Sequence, residues 1–157
     1  MTVELDNVDL TILLSLQKDA RTPFTKIAEK LNVSDATIHG RVKKMEDMGL
    51  IDKYTIIINE KKIGQPITSY VLIRVDPGTV EKVCLKLTEF REIFEICEIH
   101  ERYDILVKLR ASSLDEVRNT LIQKIRSIPD VVGSETYTVY KTWKQDLGVR
   151  IDSLALG

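Results

Sequence analysis

At 157 residues, with 43% hydrophobic and 30% charged positions, the chain has room for one ordinary domain or two small ones and the composition of a soluble globular protein. No apolar run approaches the roughly 20 residues that a bilayer span requires, which excludes a membrane-embedded role. A formal net charge of −1 argues against a generic polyanion binder and confines any nucleic-acid contact to a local patch.

The start MTVELDNVDLTILLSL places acids ahead of its apolar residues and does not read as a secretion signal, so a cytoplasmic protein is expected. Residues 6–19 set Val8, Ile12, Leu13 and Leu16 at helical spacing, with Asp6 or Asn7 available as the N-cap. ARTP ends this helix. Pro23 fits a helix start, and Thr22 just ahead of it is a suitable cap for a second helix that turns Phe24, Ile27, Ala28 and Leu31 inward. After a three-residue break, the Ser34 hydroxyl caps a third helix that stops at Gly49, a residue suited to the left-handed C-terminal position.

The third helix hides Ile38, Val42 and Met45 on one side. At 100° per residue, Ala36, Gly40, Lys43 and Asp47 fall on the opposite side, flanked by Thr37, His39 and Lys44. Glycine in mid-helix costs roughly 1 kcal/mol relative to alanine. Close approach to DNA offsets that cost on one reading; tight packing on a neighbouring helix does so on the other. Short side chains near a helix N-terminus suit major-groove base edges, whereas phosphates attract cations. Thr37 and His39 are therefore expected at bases and Arg41, Lys43 and Lys44 at phosphates, with Ser34 and Gly40 completing the surface. Within residues 34–44 these three cations face Asp35 alone.

From Leu50 the pattern changes to an extended, β-branched segment, LIDKYTIIIN. Three helices and a strand, with a short turn between the second and third helices, is the plan of a winged helix-turn-helix. NEKKIGQPI has no period and reads as a linker. Beyond it come a strand at SYVLIRVD, a turn at Pro77 and Gly78, a helix over 79–90, a strand at IFEICEIH, a break at ERYD, a strand at ILVKLRA, a helix over 113–128 and a last strand near SETYTVYKTW. That order, βαββαβ, is ferredoxin-like. The expected α+β chain thus has a winged helix-turn-helix over 1–58, a linker over 59–67 and a ferredoxin-like domain over 68–157. In its first strand Val71, Ile73 and Val75 lie on one face and Tyr70 and Leu72 on the other. Two helices cover only one face of a four-stranded sheet, which predicts a homodimer packed sheet on sheet.

Cys84 and Cys97 form no CxxC pair and read as reduced, mostly buried thiols. Glutamates at 89, 92, 95, 98 and 101 recur every third residue; on a strand that spacing splits them between faces, so ion-paired rim charges are expected rather than a metal site. With two histidines, no clustered cysteines and no glycine-rich phosphate loop, no catalytic residue, cofactor or metal ligand can be named, and an enzyme is not expected.

LDNVDLTIL at 5–13, DARTP at 19–23, IAEKLNVSDATIHGRVKKMEDMGLI at 27–51 and YDILVKLRA at 103–111 together resemble the Lrp/AsnC, or feast/famine, family of bacterial and archaeal transcription regulators, over nearly the whole chain. The resemblance implies a sequence-specific regulator that binds a pseudo-palindromic site on double-stranded DNA through two copies of the third helix. It further implies dimers that often assemble four at a time into octamers, and an amino-acid effector held between dimers near the break before the third strand of the C-terminal domain. In this loop, His100, Glu101, Arg102, Tyr103 and Asp104, the tyrosine and aspartate match the family, but Glu101 stands where a glycine is expected. Either Glu101 closes the pocket, or its charge favours a cationic effector such as lysine or arginine. The alternative to a specific regulator is an architectural, nucleoid-associated protein that compacts DNA with low selectivity.

Overall fold

The structure, a computed structural model, describes residues 4–146 and 148–151. Contacts divide them into two compact units: one runs to Ile57 and takes in the stretch from Gln145, and the other runs from Ile58 to Lys144.

In the first unit α1 spans Asn7–Lys18, α2 Phe24–Leu31 and α3 Asp35–Asp47. Asp6 caps α1: its carboxylate accepts from the amides of Val8 and Asp9, and Asp9 reaches back to the Asp6 amide, a reciprocal capping box. The second helix starts differently from expectation. Its N-cap is Pro23, which provides no side-chain cap, while the Thr22 hydroxyl donates to the Asp19 carbonyl and closes the preceding turn. Asn32 ends α2 in the left-handed region, φ 54°, and Ser34 caps α3 by accepting from the Thr37 amide at 3.1 Å. Gly49, at φ 69°, stands one residue past the cap of α3. Ile12, Leu16, Ile27, Ala28, Ile38, Val42 and Met45 form the core, with Val8, Leu13, Phe24 and Leu31 packed against it. Burying each large member contributes about 1.5–3 kcal/mol, which fixes which face of α3 is turned out.

The strand expected from Leu50 does not form: residues 52–59 lie in no strand, and Ile56 and Ile57 are 79% and 78% exposed. β-Branched residues favour a strand only where a neighbouring strand completes the ladder. In the single chain this segment has none.

In the second unit β1 spans Ile67–Val75, α4 Val80–Leu87, β2 Ile93–Glu98, β3 Ile105–Ala111, α5 Leu114–Asn119 and β4 Val131–Thr138. The sheet order is β2-β3-β1-β4 with every pair antiparallel, the ferredoxin-like arrangement. A 3-10 turn, Glu60–Ile63, precedes it within the expected linker. The helix expected over 113–128 is shorter as an α-helix, because it passes into a π-helical turn over Thr120–Ile125. The last strand begins at Val131 and stops at Thr138, short of the expected Trp143.

One face of the sheet, with Val71, Ile73, Val75, Ile105, Val107 and Leu109, is buried with Val83, Leu87, Val117, Ile125 and Ile128 of the helical layer. Strand alternation sends Tyr70, Leu72 and Leu106 to the other face, where they are only half-buried. Cys84 and Cys97 are free and half-buried; partial burial, then the nearby Glu98, pushes the Cys84 thiol up. No helix among the described residues is long and apolar enough to cross a membrane.

Candidate nucleic-acid interface and effector loop

The outward face of α3 opens at its N-cap. Ser34 Oγ lies 2.8 Å from Thr37 Oγ1, so the cap also holds the Thr37 hydroxyl in one orientation. Two residues on, His39 is 63% exposed, with Nε2 3.6 Å from Asp35 Oδ2 one turn back and its ring edge-to-face with Phe24, centroids 4.7 Å apart. A Cβ built on Gly40 would meet nothing within 4 Å. Packing inside the chain therefore does not explain this mid-helix glycine. Lys43 and Lys44 are exposed and pair with no acid among the described residues.

Arg41 departs from its expected place among the phosphate contacts. Its Nη1 lies 2.6 Å from Asp6 and 3.2 Å from Asp9, on the capping box of α1. The Asp6 carboxyl is held below its ordinary value chiefly by the Asp9 amide, against the cost of burial, with Arg41 adding to the effect. The sequence carries a signal for this. Three residues after Ile38, Arg41 lies only about 60° from the buried stripe, beside α1 rather than on the outer face.

Phe24, His39, Gly40, Val42, Lys43, Glu46, Asp47 and Tyr54 line an open cleft of about 500 Å³. At its C-terminal end Glu46 hydrogen-bonds Tyr54, whose hydroxyl is pushed up first by partial burial and then by that carboxylate. Sequence reasoning assigns neither residue. Glu46 and Asp47 thus stand together at this end of the cleft, beside Lys43.

In the second unit the five expected effector residues do not converge. Asp104 braces the loop: its Oδ2 accepts from the Val75 amide at 2.8 Å, its amide donates to Ile73 and its carbonyl accepts from Ile99. Arg102 and Tyr103 instead line a cavity of about 210 Å³ with Arg74, Gly133, Ser134 and Glu135. Glu135 is its hub, accepting from Tyr137 at 2.8 Å and from Tyr103, with Arg102 at 3.4 Å. The tyrosine hydrogen bonds hold the Glu135 carboxyl below its ordinary value and raise both phenols. Arg74, Glu135 and Tyr137 escape sequence reasoning because only the register, Leu72 opposite Glu135 and Tyr70 opposite Tyr137, brings them to one face.

His100 and Glu101 are exposed outside that lining. Glu101 has φ 125°, a backbone position that favours glycine. It keeps the bend that the expected glycine would provide and does not fill the cavity. Of the periodic glutamates, Glu92 is buried and reaches Lys124 at 2.7 Å, and Glu89 pairs with Lys86. Among the described residues no three potential ligands gather to hold a metal ion.

Residues 5–46 match the AsnC-type helix-turn-helix domain and residues 68–149 the Lrp/AsnC ligand-binding domain. The chain is 37% identical over 145 residues to the HTH-type transcriptional regulator FL11 of Pyrococcus abyssi, covering 92% of this chain and 95% of that protein. It is 35% identical over 133 residues to the regulatory protein AsnC of Haemophilus influenzae, covering 84% and 89%. Among solved structures, AsnC of E. coli superposes with a TM-score of 0.87 at 29% identity, covering 91% of this chain and 97% of that one.

Proposed function

Because the chain belongs to the Lrp/AsnC family of transcription regulators, we propose that it regulates transcription by sequence-specific binding of a pseudo-palindromic DNA site through α3, presented twice by a homodimer. The observation that carries this reading is Gly40, a costly mid-helix glycine with open space before it on a helix whose other face is fully packed. Closest approach to a groove falls there. Thr37 and His39 stand beside it for base edges, and Lys43 and Lys44 for phosphates. Ser34 orients Thr37 and caps the helix.

Half-buried Tyr70, Leu72 and Leu106 support a second copy packed on the open sheet face, and the family's habit extends this to an octamer. Such a protein works in the cytoplasm, at the nucleoid, as a regulator rather than an enzyme. Glu101 leaves the cavity unfilled, which favours an open effector pocket over a closed one. Its carboxylate, next in sequence to the lining residue Arg102 and without a partner among the described residues, suits an amino acid with a cationic side chain, lysine or arginine.

The test is the ratio of specific to competitor DNA binding, for wild type and for Thr37→Ala/His39→Ala. A ratio above about 10³ in wild type that collapses in the variant, with salt-sensitive affinity retained, supports a specific reader. A ratio near one in both returns the architectural alternative. A monomeric mass in light scattering at low micromolar concentration sinks the dimer.

A further inference from the structure

We propose that Phe24 and Asp35 are positioning residues for His39, fixing its imidazole so that Nδ1 accepts a hydrogen bond from the exocyclic amino group of a base in the major groove. This rests on the reading that α3 enters that groove. An exposed histidine ordinarily samples several rotamers and both neutral tautomers, which makes it a poor reader. His39 is exposed on a helix surface yet held on two sides.

Phe24 meets it edge-to-face, with centroids 4.7 Å apart and ring planes at 73°, and Phe24 itself packs against the core of the unit. The imidazole therefore leans on a ring packed against the helical core rather than on a freely moving surface side chain. On the other side, Asp35 Oδ2 is 3.6 Å from Nε2. That distance is longer than a hydrogen bond, but in the neutral imidazole a negative charge on the Nε2 side favours the proton there over Nδ1, and the Nδ1 lone pair is then the free acceptor. In the major groove, adenine N6 and cytosine N4 are the amino donors; guanine O6 and N7, adenine N7 and thymine O4 accept and do not match it. Gly40, the next residue, has open space where a Cβ would stand and lets the backbone come close enough for the short imidazole arm to reach.

The experiment begins with selection from a random duplex pool by the full chain and by His39→Ala, Asp35→Asn, Phe24→Leu and Phe24→Tyr. The enriched site is then rebuilt with the amino group at the His39-dependent base replaced by hydrogen. His39→Ala is expected to flatten one base pair per half-site; Asp35→Asn and Phe24→Leu flatten the same pair, and Phe24→Tyr, which keeps the ring edge, retains it. Amino deletion should weaken wild type about tenfold, the order of one lost base contact, and leave His39→Ala unchanged. The inference is overturned if amino deletion costs wild type nothing, or if Asp35→Asn leaves the column intact. That variant changes an exposed residue and decides the matter even if Phe24→Leu does not fold. Failure of wild type to enrich any motif overturns the reading of α3 itself, and the inference with it.

Discussion

Arg41 sits on the helix that turns Thr37 and His39 outward, yet its guanidinium lies 2.6 Å from Asp6, on the cap of α1. The pair binds the start of the first helix to the middle of the third, so its loss is felt in the fold. Both partners are about a third to a half exposed, and after discounting for solvent screening Arg41→Ala should cost about 1 kcal/mol in urea unfolding. The sign of the pH dependence follows from Asp6. Its folded carboxyl lies below the unfolded value of about 4, so the contribution is complete above that value and is lost as pH falls through the folded one. Arg41→Ala should therefore be nearer wild type at pH 3 than at pH 7. A phosphate ligand would lower the salt slope of DNA binding by about one unit when removed; an unchanged slope is expected, and a lowered one refutes the clamp.

Gly40→Ala separates folding from function. With nothing within 4 Å of the new methyl group, the substitution should raise helix stability by about 1 kcal/mol and the melting temperature by about 2–4 °C. On the proposed reading the same methyl group stands where the helix approaches DNA, so operator affinity should fall. A variant that is both more stable and an equal binder would show that close approach to DNA does not account for the glycine.

Where sequence and structure agree, a periodic signal is satisfied inside one chain. Ile38, Val42 and Met45 face inward because α1 and α2 supply their partners, and βαββαβ follows from alternating segments bounded by turn residues. Disagreement arises where a side chain answers to something outside its own segment. Charge alone assigns Arg41 to phosphate, whereas two acids, the N-cap Asp6 and Asp9 in the first turn of α1, set its geometry. Ile56 to Ile58 carry strand propensity without a ladder. Glu135 becomes visible only when the register of β4 places it beside Tyr103 and Arg102.

Glu101, at φ 125°, holds a conformation that costs a residue with a side chain about 1–3 kcal/mol. Glu101→Gly should relieve part of this and raise the melting temperature by about 2–4 °C in the absence of ligand. Millimolar lysine or arginine should raise the melting temperature of wild type, leucine should not, and Glu101→Gly should lose the distinction. Equal responses to all three amino acids, or to none, would remove the role of the carboxylate. A lower melting temperature in the glycine variant would remove the strain.

The side-chain amide of Gln17 ties the stretch around Val149 to α1. Gln17 Nε2 donates to the Val149 carbonyl at 2.9 Å and its Oε1 accepts from the Val149 amide at 3.2 Å, so the side chain pairs with the backbone as a neighbouring strand would. Gly148 makes room for it: a Cβ there would stand 2.7 Å from Nε2. Gln17 is flexible and can swing aside, so Gly148→Ala should strain little but break the pair. Two exposed hydrogen bonds contribute about 1–2 kcal/mol, and losing them should open the stretch roughly tenfold more often. Tryptic cleavage after Lys144, followed by mass spectrometry, should accelerate accordingly in Gly148→Ala and in Gln17→Ala. Their combination should go no faster than either alone, because both remove one contact. Additive rates, or none above wild type, would show that something other than Gln17 holds the chain there.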